Sequence, residues 1–440
     1  MPAPTPDTPA LGESTRPSRR RVPSYADMAP EAPDQPVAKS KPKRINLRRP
    51  DIMEQVKAQV LTHYRSDLVD RLRAKGEVTC PTGQITIKLA KEFGFCYGVD
   101  RCIDLAYAAR KVFPDKPLYI LGEIIHNPEV NDQIREMGIK FLSGPHQSGN
   151  IDDLGEGDIV IIPAFGTEVT IREKLESKGC QVVDTTCGDV MSVWKRVRTY
   201  AKEEVTSIIH GKASHEETMA TSSQAIAKNG HYLVVNTFDE TDLVCDYIIN
   251  GGDKETLLKR FDGCYSEGFD PDIHLRAVGV ANQTTMMRGE TEEVQRRIKA
   301  AIQKRYGTEN TDTHFRFFDT ICGATQDRQD ALSVMLQEPM DLLLVIGGYN
   351  SSNTSHLAEM GERVVPTYFI KNVKEINGPQ SIRHWNQHTQ QLQETPDWLP
   401  KGPINIGITA GASCPNNLIE DVINHLLELR NTSAEEFLAN

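Results

Sequence analysis

Apolar positions along the chain follow two alternating patterns. From about residue 84, short apolar runs alternate with stretches in which apolar residues recur at helical spacing. Short apolar runs are typical of strands buried on both faces, and the stretches between them are typical of amphipathic helices. The alternation predicts an α/β fold with mostly parallel sheets. The predicted strands are Leu118–Leu121, Ile159–Ile162, Val182–Val183, Ser207–Ile209, Tyr232–Val235, Ala277–Val280, Leu342–Ile346 and Ile404–Ile408.

The first 83 residues follow neither pattern throughout. Residues 1–49 are rich in Pro, Ser, Ala and charge, so we expect a disordered tail that cannot bury enough surface to offset its ordering entropy. A plastid transit peptide is the alternative, which acidic residues such as Asp7 and Glu13 disfavour. Residues 50–83 are predicted as a helical extension, because apolar residues recur every four positions from Ile52 to Leu72 before Gly76.

Weak internal similarity indicates repeated units. Residues 184–188 and 319–323 share the pattern D-T-x-C-G, and a predicted helix follows each. Polar loops at strand ends recur upstream of both, at residues 163–167 and 282–285. We infer repeated α/β modules whose strand ends converge on a common centre, which is where ligands bind in open α/β sheets.

Three of the nine cysteines have a distinctive setting. Cys96, Cys187 and Cys322 each lie at a glycine-flanked turn between a strand and a helix, whereas the odd count and the lack of an apolar leader near Met1 disfavour a disulfide framework. A helix N-terminus favours the thiolate, and thiolates suit iron–sulfur clusters. Three ligands would leave one iron of a four-iron cluster open to a substrate oxygen. Ordinary buried cysteines, or a zinc site completed by a histidine, are the alternatives.

The remaining cysteines lack that glycine-turn context. We interpret five of them as structural, and Cys414 is less clear because it lies beside a loop that we consider functional. The five are Cys80, Cys102, Cys180, Cys245 and Cys264.

Two glycine- and hydroxyl-rich loops follow apolar strands. Residues 345–354 form the first, with a helix expected from near Ser355, and residues 408–413 form the second. Backbone N–H groups at a helix N-terminus, together with hydroxyls, bind anions. Either loop alone also suits an ordinary helix cap. Because there are two, the sequence favours a phosphate or diphosphate ligand.

Histidines and carboxylates follow two other predicted strands. His126 follows one, and the segment from His210 to Glu217, which includes His215, follows the other. A lone histidine is more often structural, but a carboxylate beside a histidine at a strand end can deliver protons. Neither a dinucleotide-binding nor a P-loop motif is present, so we expect electrons to come from a separate protein.

Composition and charge argue against two classes of binding partner. The formal net charge of −11 argues against general nucleic-acid binding, and no apolar run is long enough for a membrane span. We expect neither nucleic acid nor membrane as a partner. Nine cysteines without a predicted disulfide framework fit a reducing compartment, either bacterial cytoplasm or, as the alternative, plastid stroma.

The motifs together resemble one family, that of 4-hydroxy-3-methylbut-2-enyl diphosphate reductase, also called IspH or LytB. The resemblance covers roughly residues 84–430 and is similar to the cyanobacterial and plant branch. It rests on GFCYGV (94–99), GEIIHN (122–127), VDTTC (183–187), HGKASHEET (210–218), ANQTT (281–285), DTICGATQDRQ (319–329), GGYNSSNT (347–354) and ITAGAS (408–413).

The resemblance implies a fold and a reaction. The fold is three pseudo-threefold-related α/β modules around a central iron–sulfur site, which we place at residues 84–186, 187–319 and 320–440, with the first strand able to join the third module. The reaction is reductive dehydroxylation of the allylic diphosphate to isopentenyl and dimethylallyl diphosphate, the last step of the methylerythritol phosphate pathway. The substrate oxygen binds the open iron of one 4Fe-4S cluster, and ferredoxin or flavodoxin supplies electrons.

The resemblance also implies residue roles. Cys96, Cys187 and Cys322 would ligate the cluster, and Glu217 with Thr284 would manage the proton. The residues implied in substrate binding are His126, His215, Thr285, Ser351, Ser352, Asn353 and Ser413.

Three positions depart from the family pattern. Phe165 stands where many bacterial members have a histidine, Gly188-Asp189 follows Cys187 in place of a proline, and Cys414 leaves a thiol near the predicted pocket. The first changes the pocket, the second puts the start of a helix in doubt, and the third predicts sensitivity to oxidation. A non-redox iron–sulfur hydro-lyase and a non-catalytic metal-binding protein of the same fold are the rival functions.

Overall fold

The computed structural model describes residues 47–79, 84–318 and 320–438, which belong to one compact unit. The predicted tail lies outside the described residues except for 47–49. Leu47, which the prediction assigned to that tail, is buried against the core that also contains Ile52 and Val56. The packed part of the chain therefore starts before residue 50.

The N-terminal extension consists of two helices rather than the single helix that its apolar spacing predicts. Helix α1 spans Pro50–Tyr64 and α2 spans Asp67–Lys75. The chain breaks between them because Ser66 has an extended backbone and its hydroxyl accepts the N–H of Val69 at 3.0 Å, which caps α2. Helix α1 packs on the core of the first sheet, whereas α2 packs on the core of the third.

The first sheet has four parallel strands in the order β4-β3-β5-β6. They are β3 (Leu118–Ile120), β4 (Ile139–Phe141), β5 (Ile159–Ile162) and β6 (Gln181–Asp184). The helices in this part of the chain are α3 (Tyr97–Val112), α4 (Pro128–Glu136) and α5 (Val169–Ser177).

The second sheet repeats this arrangement, with four parallel strands in the order β8-β7-β9-β10. They are β7 (Thr206–His210), β8 (Tyr232–Val235), β9 (Val278–Asn282) and β10 (Phe315–Phe317). The helices here are α6 (Gly188–Lys202), α7 (Glu216–Ile226), α8 (Phe238–Asn250), α9 (Lys254–Arg260), α10 (Pro271–His274), α11 (Arg288–Tyr306) and α12 (Thr311–His314).

The third sheet has the order β12-β11-β15-β2-β1, in which only the edge strand β1 is antiparallel. Its strands are β1 (Glu77–Thr79), β2 (Ile85–Leu89), β11 (Leu342–Ile346), β12 (Thr367–Ile370) and β15 (Ile404–Ala410). A separate antiparallel hairpin consists of β13 (Ser381–Asn386) and β14 (Gln391–Pro396). The helices are α13 (Gly323–Met335), α14 (Ser352–Glu362), α15 (Asn416–Glu428) and α16 (Ala434–Leu438).

With the edge strand β1 set aside, all three sheets have four parallel strands in the spatial order second-first-third-fourth, and in the third sheet β2, from earlier in the chain, takes the fourth place. The expected α/β fold with mostly parallel sheets is confirmed. The strands β5, β7, β9 and β11 are buried along their whole length, which explains their continuous apolar runs. Strand β2 pairs with β15, so the first strand of the α/β region lies in the third sheet. The module boundaries themselves stay a prediction.

Candidate active site

Three cysteines occupy equivalent positions at the ends of three strands. Cys96, Cys187 and Cys322 follow β2, β6 and β10, and each is the residue that immediately precedes a helix, α3, α6 or α13. The backbone N–H of each cysteine donates to a carbonyl in the loop after the neighbouring strand. The acceptors are Ala412 at 3.3 Å for Cys96, Ala164 at 2.8 Å for Cys187 and Thr284 at 3.4 Å for Cys322.

The cysteine side chains come together at the centre of the three sheets. A Cβ placed on Gly98 would lie 2.6 Å from Cys187 Sγ and 3.8 Å from Cys96 Sγ, so these two sulfurs are separated by no more than the sum of those distances. The Cys322 thiol hydrogen-bonds the side chain of Asp189, two residues after Cys187, and Cys96 is near enough to act electrostatically on both other thiols. Side chains separated by 91 and 135 residues in the sequence thus meet.

The protein environment disfavours the ionised form of two of these thiols. Burial raises the pKa of Cys187, which the backbone N–H groups of Asp189 and Val190 partly offset. Burial raises the pKa of Cys322 to about 12, and the hydrogen bond and negative charge of Asp189 act in the same direction. Thiolates here therefore need a positively charged group between them, as a metal centre provides.

An anion pocket lies at the N-terminus of α14. Ser351 precedes the helix and its hydroxyl accepts the N–H of Thr354 at 3.4 Å, while Ser413 donates to Ser351 at 3.4 Å. Asn353 is fixed because its Oδ1 accepts the Ala412 N–H at 2.9 Å. Within the described residues, Ser352 Oγ and Asn353 Nδ2 are buried and have no hydrogen-bond partner. These free donors and the helix N-terminus are suited to an oxyanion.

His126 closes one side of this pocket. Its backbone carbonyl accepts the Ser413 hydroxyl at 3.1 Å, and its ring stacks on Phe165 with centroids 4.8 Å apart. Burial alone would lower the pKa of His126, but the hydrogen bond to Glu123 and the charges of neighbouring carboxylates outweigh it, so the pKa is raised. Its Nε2 has no hydrogen-bond partner in the described part of the chain. The Nε2 atom is therefore available to a ligand, on a ring whose neighbours favour its protonated form.

His215 lies beside His126, but its environment shifts its pKa in the opposite direction. The two ring centroids are 5.1 Å apart, and the His215 Nδ1 accepts the Glu217 N–H at 3.1 Å, which caps α7. Burial and the positive charges of His126 and Lys212 hold the pKa of His215 well below its ordinary value. The two imidazoles of the pocket therefore have pKa values shifted in opposite directions.

Glu217 is the buried acid of the site, and only 2% of its surface is exposed to solvent. Its carboxyl accepts the Thr284 N–H at 2.5 Å and the Thr284 hydroxyl at 2.9 Å. Burial raises the pKa of Glu217 to about 7, against the lowering effect of those two hydrogen bonds. A carboxyl that titrates near neutrality can donate or accept a proton under ordinary conditions.

Sequence reasoning missed three residues that order the site. Gln283 accepts the Lys212 N–H and the Thr218 hydroxyl, both at 3.2 Å, and donates to Thr285 at 2.8 Å. Glu123 and Asn350 contact each other and His126. All three lie inside motifs that the sequence analysis singled out, and position in a polar strand-end loop was the signal that could have identified them.

The three departures from the family pattern have structural outcomes. Helix α6 begins at Gly188 with Cys187 before it, so the missing proline does not displace its start. Phe165 contributes a ring stacked on His126. Cys414 is buried in the core of the third sheet, and burial raises the pKa of its thiol. The expectation that this thiol is prone to oxidation is therefore wrong, because oxidation requires access and thiolate character.

The fold and the site define an α/β protein with three converging cysteines beside an anion pocket. The LytB protein family matches residues 87–427. A 4-hydroxy-3-methylbut-2-enyl diphosphate reductase from Gloeobacter violaceus is 45% identical over 86% of this chain and 90% of its own length. One from a Synechococcus strain is 46% identical over 83% of this chain and 91% of its own. The chain belongs to the LytB family.

A solved structure supports the fold. The E-1-hydroxy-2-methyl-but-2-enyl-4-diphosphate reductase from Plasmodium falciparum matches with a TM-score of 0.57 at 23% identity, covering 78% of this chain and 87% of that one. At this identity the match concerns the fold alone. Among the described helices, none combines the length and the apolar character that a membrane span requires.

Proposed function

We propose that this chain is a 4-hydroxy-3-methylbut-2-enyl diphosphate reductase. The reaction takes the substrate, two electrons and two protons to isopentenyl or dimethylallyl diphosphate and water, the last step of the methylerythritol phosphate pathway. Family membership supports the activity, as do curated relatives with this name that the chain matches over about nine-tenths of their length. The observation that carries the proposal is the meeting of Cys96, Cys187 and Cys322 beside a pocket with free anion donors.

The residues present fit an iron–sulfur group, with Cys96, Cys187 and Cys322 as ligands. Sulfurs around one zinc ion lie about 3.8 Å apart. Among the described residues, the Sγ atoms of these three cysteines do not all lie within 4.8 Å of one another. This wider spacing favours a larger centre over a single ion. When bound through three cysteines, a 4Fe-4S cluster supplies electrons and one open, Lewis-acidic iron.

The pocket residues are proposed to hold the diphosphate. Ser352 and Asn353 offer buried hydrogen-bond donors without partners in the described chain, and Ser351 and Ser413 join the two loops that carry them. His126 adds an imidazole whose pKa its carboxylate neighbours raise, and His215 adds one whose pKa is held low. Two phosphate groups need several hydrogen-bond donors, which this set provides.

Glu217 is proposed to deliver the proton to the departing hydroxyl. With a pKa of about 7 it is substantially protonated at neutral pH, and Thr284 holds its orientation through two hydrogen bonds. Thr285 lies next to Thr284 and is fixed by Gln283, so it is proposed to line the same part of the pocket. A positioned acid of this kind contributes about 100-fold or more to a rate.

Ferredoxin or flavodoxin is the proposed electron donor, in the cytoplasm that the cyanobacterial relatives favour. Tyr97, directly after Cys96, is 78% exposed, and Met191, one turn after Cys187, is also exposed. Gly188 and Gly323, directly after the other two cysteines, border open space. The residue that follows each of the three cysteines is therefore exposed at the protein surface. Tyr97→Ala is expected to slow ferredoxin-driven turnover while leaving turnover with reduced methyl viologen unchanged.

Anaerobic turnover with reduced methyl viologen tests the proposed function. We expect product formation that requires the reductant, by a protein whose iron and sulfide content matches one cluster per chain. Product formed without reductant would favour the hydro-lyase alternative. A colourless protein with stoichiometric zinc and no turnover would favour the non-catalytic alternative.

A further inference from the structure

Glu123 occupies a junction between two loops that are distant in sequence. It lies on the loop after β3, three residues before His126, and its side chain is largely buried. The Oε2 atom accepts Nδ1 of His126 at 3.1 Å and Nδ2 of Asn350 at 2.5 Å. Asn350 lies 227 residues further along the chain, in the loop directly before Ser351. One carboxylate oxygen therefore joins the histidine loop to the anion loop.

The other carboxylate oxygen anchors Glu123 to its own module. Its Oε1 accepts Nδ2 of Asn131 at 3.2 Å. Asn131 is fully buried, and it also bonds the backbone of Ile124 and Ile125 at 2.9 Å each. Glu123 is therefore held in one orientation, and its two partners on Oε2 are held with it.

The backbone of the two loops is in contact at the same place. A Cβ placed on Gly348 would lie 2.4 Å from the His126 carbonyl oxygen, so only glycine allows this approach. The same carbonyl accepts the Ser413 hydroxyl at 3.1 Å. A shift of the His126 ring relative to the anion loop is thus restricted by backbone packing and by the Glu123 side chain together.

We infer that Glu123 is a positioning residue that binds no ligand itself but fixes His126, through Nδ1, so that Nε2 points as a hydrogen-bond donor at the diphosphate. The inference rests on the proposed function for the identity of the anion. His126 Nε2 is buried without a hydrogen-bond partner in the described chain, and the nearest carboxylate, Glu216, is 3.6 Å away. A carboxylate that holds one imidazole nitrogen sets the orientation and the charge of the ring.

The proposed role of Glu123 predicts that anion binding depends on pH. The titratable groups that face this ring are Glu123 on its own loop and His215, Glu216 and Glu217 at the start of α7. The hydrogen bond and charge of Glu123 raise the pKa of His126, and burial opposes them, so Glu123→Gln lowers that pKa relative to the parent. The variant ring therefore loses its proton at a lower pH than the parent ring, and the difference in anion affinity between the two proteins is expected to grow as pH rises.

The test is anaerobic calorimetry of inorganic pyrophosphate binding to the cluster-loaded protein, which needs no turnover. Glu123→Gln is expected to weaken binding about tenfold at pH 8 and clearly less at pH 5.5. In a His126→Asn background the same change is expected to have almost no further effect, because the two residues act as one unit. Equal affinity of Glu123→Gln and the parent at pH 8, or multiplicative losses in the double variant, would overturn the inference.

Two further variants separate positioning from general damage. Glu129→Gln removes the charge from another carboxylate–asparagine contact between the same two parts of the chain, with Asn372, and is expected to leave pyrophosphate affinity unchanged. Asn350→Ala changes an exposed residue, so the fold is not threatened, and is expected to weaken binding about threefold. If the parent binds pyrophosphate but does not turn over substrate, the proposed function fails and the role of Glu123 stands.

Discussion

Thr284 donates both its backbone N–H and its hydroxyl to the carboxyl of Glu217, at 2.5 and 2.9 Å. The two residues are separated by 67 positions, and Thr284 also provides the carbonyl that accepts the Cys322 N–H. One residue therefore connects the buried acid to a cysteine turn. The acid, the proposed cluster ligand and the strand end that carries Thr284 form one rigid unit, which is what a preorganised proton donor requires.

Replacement of Glu217 by glutamine separates proton delivery from cluster binding. The amide keeps the shape of the carboxyl, and its oxygen still accepts one of the two Thr284 hydrogen bonds, but its NH2 group cannot accept the other and the side chain cannot deliver a proton. We expect iron content and visible absorbance to stay at the parent level while turnover falls about 100-fold or more. Anaerobic kinetics with reduced methyl viologen measure this, and a near-normal rate would remove Glu217 from the proton path.

The pKa of Glu217 predicts two pH dependences. As the acid, Glu217 must be protonated, so turnover is expected to fall as pH rises past about 7. Its folded-state pKa lies above its ordinary 4.5, so the folded protein binds more protons between those values and this contribution to stability is lost as pH rises through about 7. Urea unfolding at pH 5 and 8 is expected to show a smaller stability loss in Glu217→Gln than in the parent.

Replacement of each central cysteine by serine tests the ligand set. Cys96→Ser, Cys187→Ser and Cys322→Ser are each expected to lose cluster absorbance and activity, because a hydroxyl is a poor ligand for iron in a cluster. Cys245→Ser is the control, since Cys245 is buried in the core of the second sheet. Iron and sulfide analysis after anaerobic purification measures occupancy, and full occupancy in any of the three variants would exclude that cysteine.

Much of the fold follows from the sequence because buried parallel strands have an unambiguous apolar pattern. Each of the eight predicted strands overlaps an observed one, from β3 to β15. The hairpin of β13 and β14 was missed, because both strands are mostly polar; Ser381–Asn386 is largely half-buried and Gln391–Pro396 largely exposed, so burial imposes no continuous apolar pattern on them. Helix α14 begins at Ser352, three residues before the predicted start near Ser355, because the Ser351 side chain caps it there.

The sequence predicted which residues form the site but not which of them contact one another. Strand-end position identified His126 and Glu217, because polar side chains there have no core to join. The partnership of Glu123 with Asn350 depends on two loops from different sheets meeting. Nothing in the spacing of either loop specifies that meeting. Nor does the sequence reveal that the Cys414 thiol turns into the core, because a polar loop and a buried side chain can occupy adjacent positions.

Gly98 is expected to be essential for the central site, for a steric reason. An alanine Cβ there would lie 2.6 Å from Cys187 Sγ and displace it, whereas a Cβ on Gly188 would meet nothing within 4 Å. Both glycines are helical, so alanine itself favours the helix by about 1 kcal/mol. We expect Gly98→Ala to retain its melting temperature but lose cluster occupancy, and Gly188→Ala to keep both. Equal occupancy in the two variants would contradict the close packing of Gly98 on Cys187.

Phe165 is expected to contribute to substrate affinity through His126. Its ring lies parallel to the imidazole within 8° at 4.8 Å, a stacked arrangement that contributes about 1 kcal/mol. Phe165→Ala should raise KM about fivefold, because the imidazole loses its support, and change kcat much less. Phe238→Ala is the matched control, since Phe238 stacks with Arg297 on the surface at 4.6 Å. A larger effect on kcat than on KM would instead place Phe165 close to the reacting carbon.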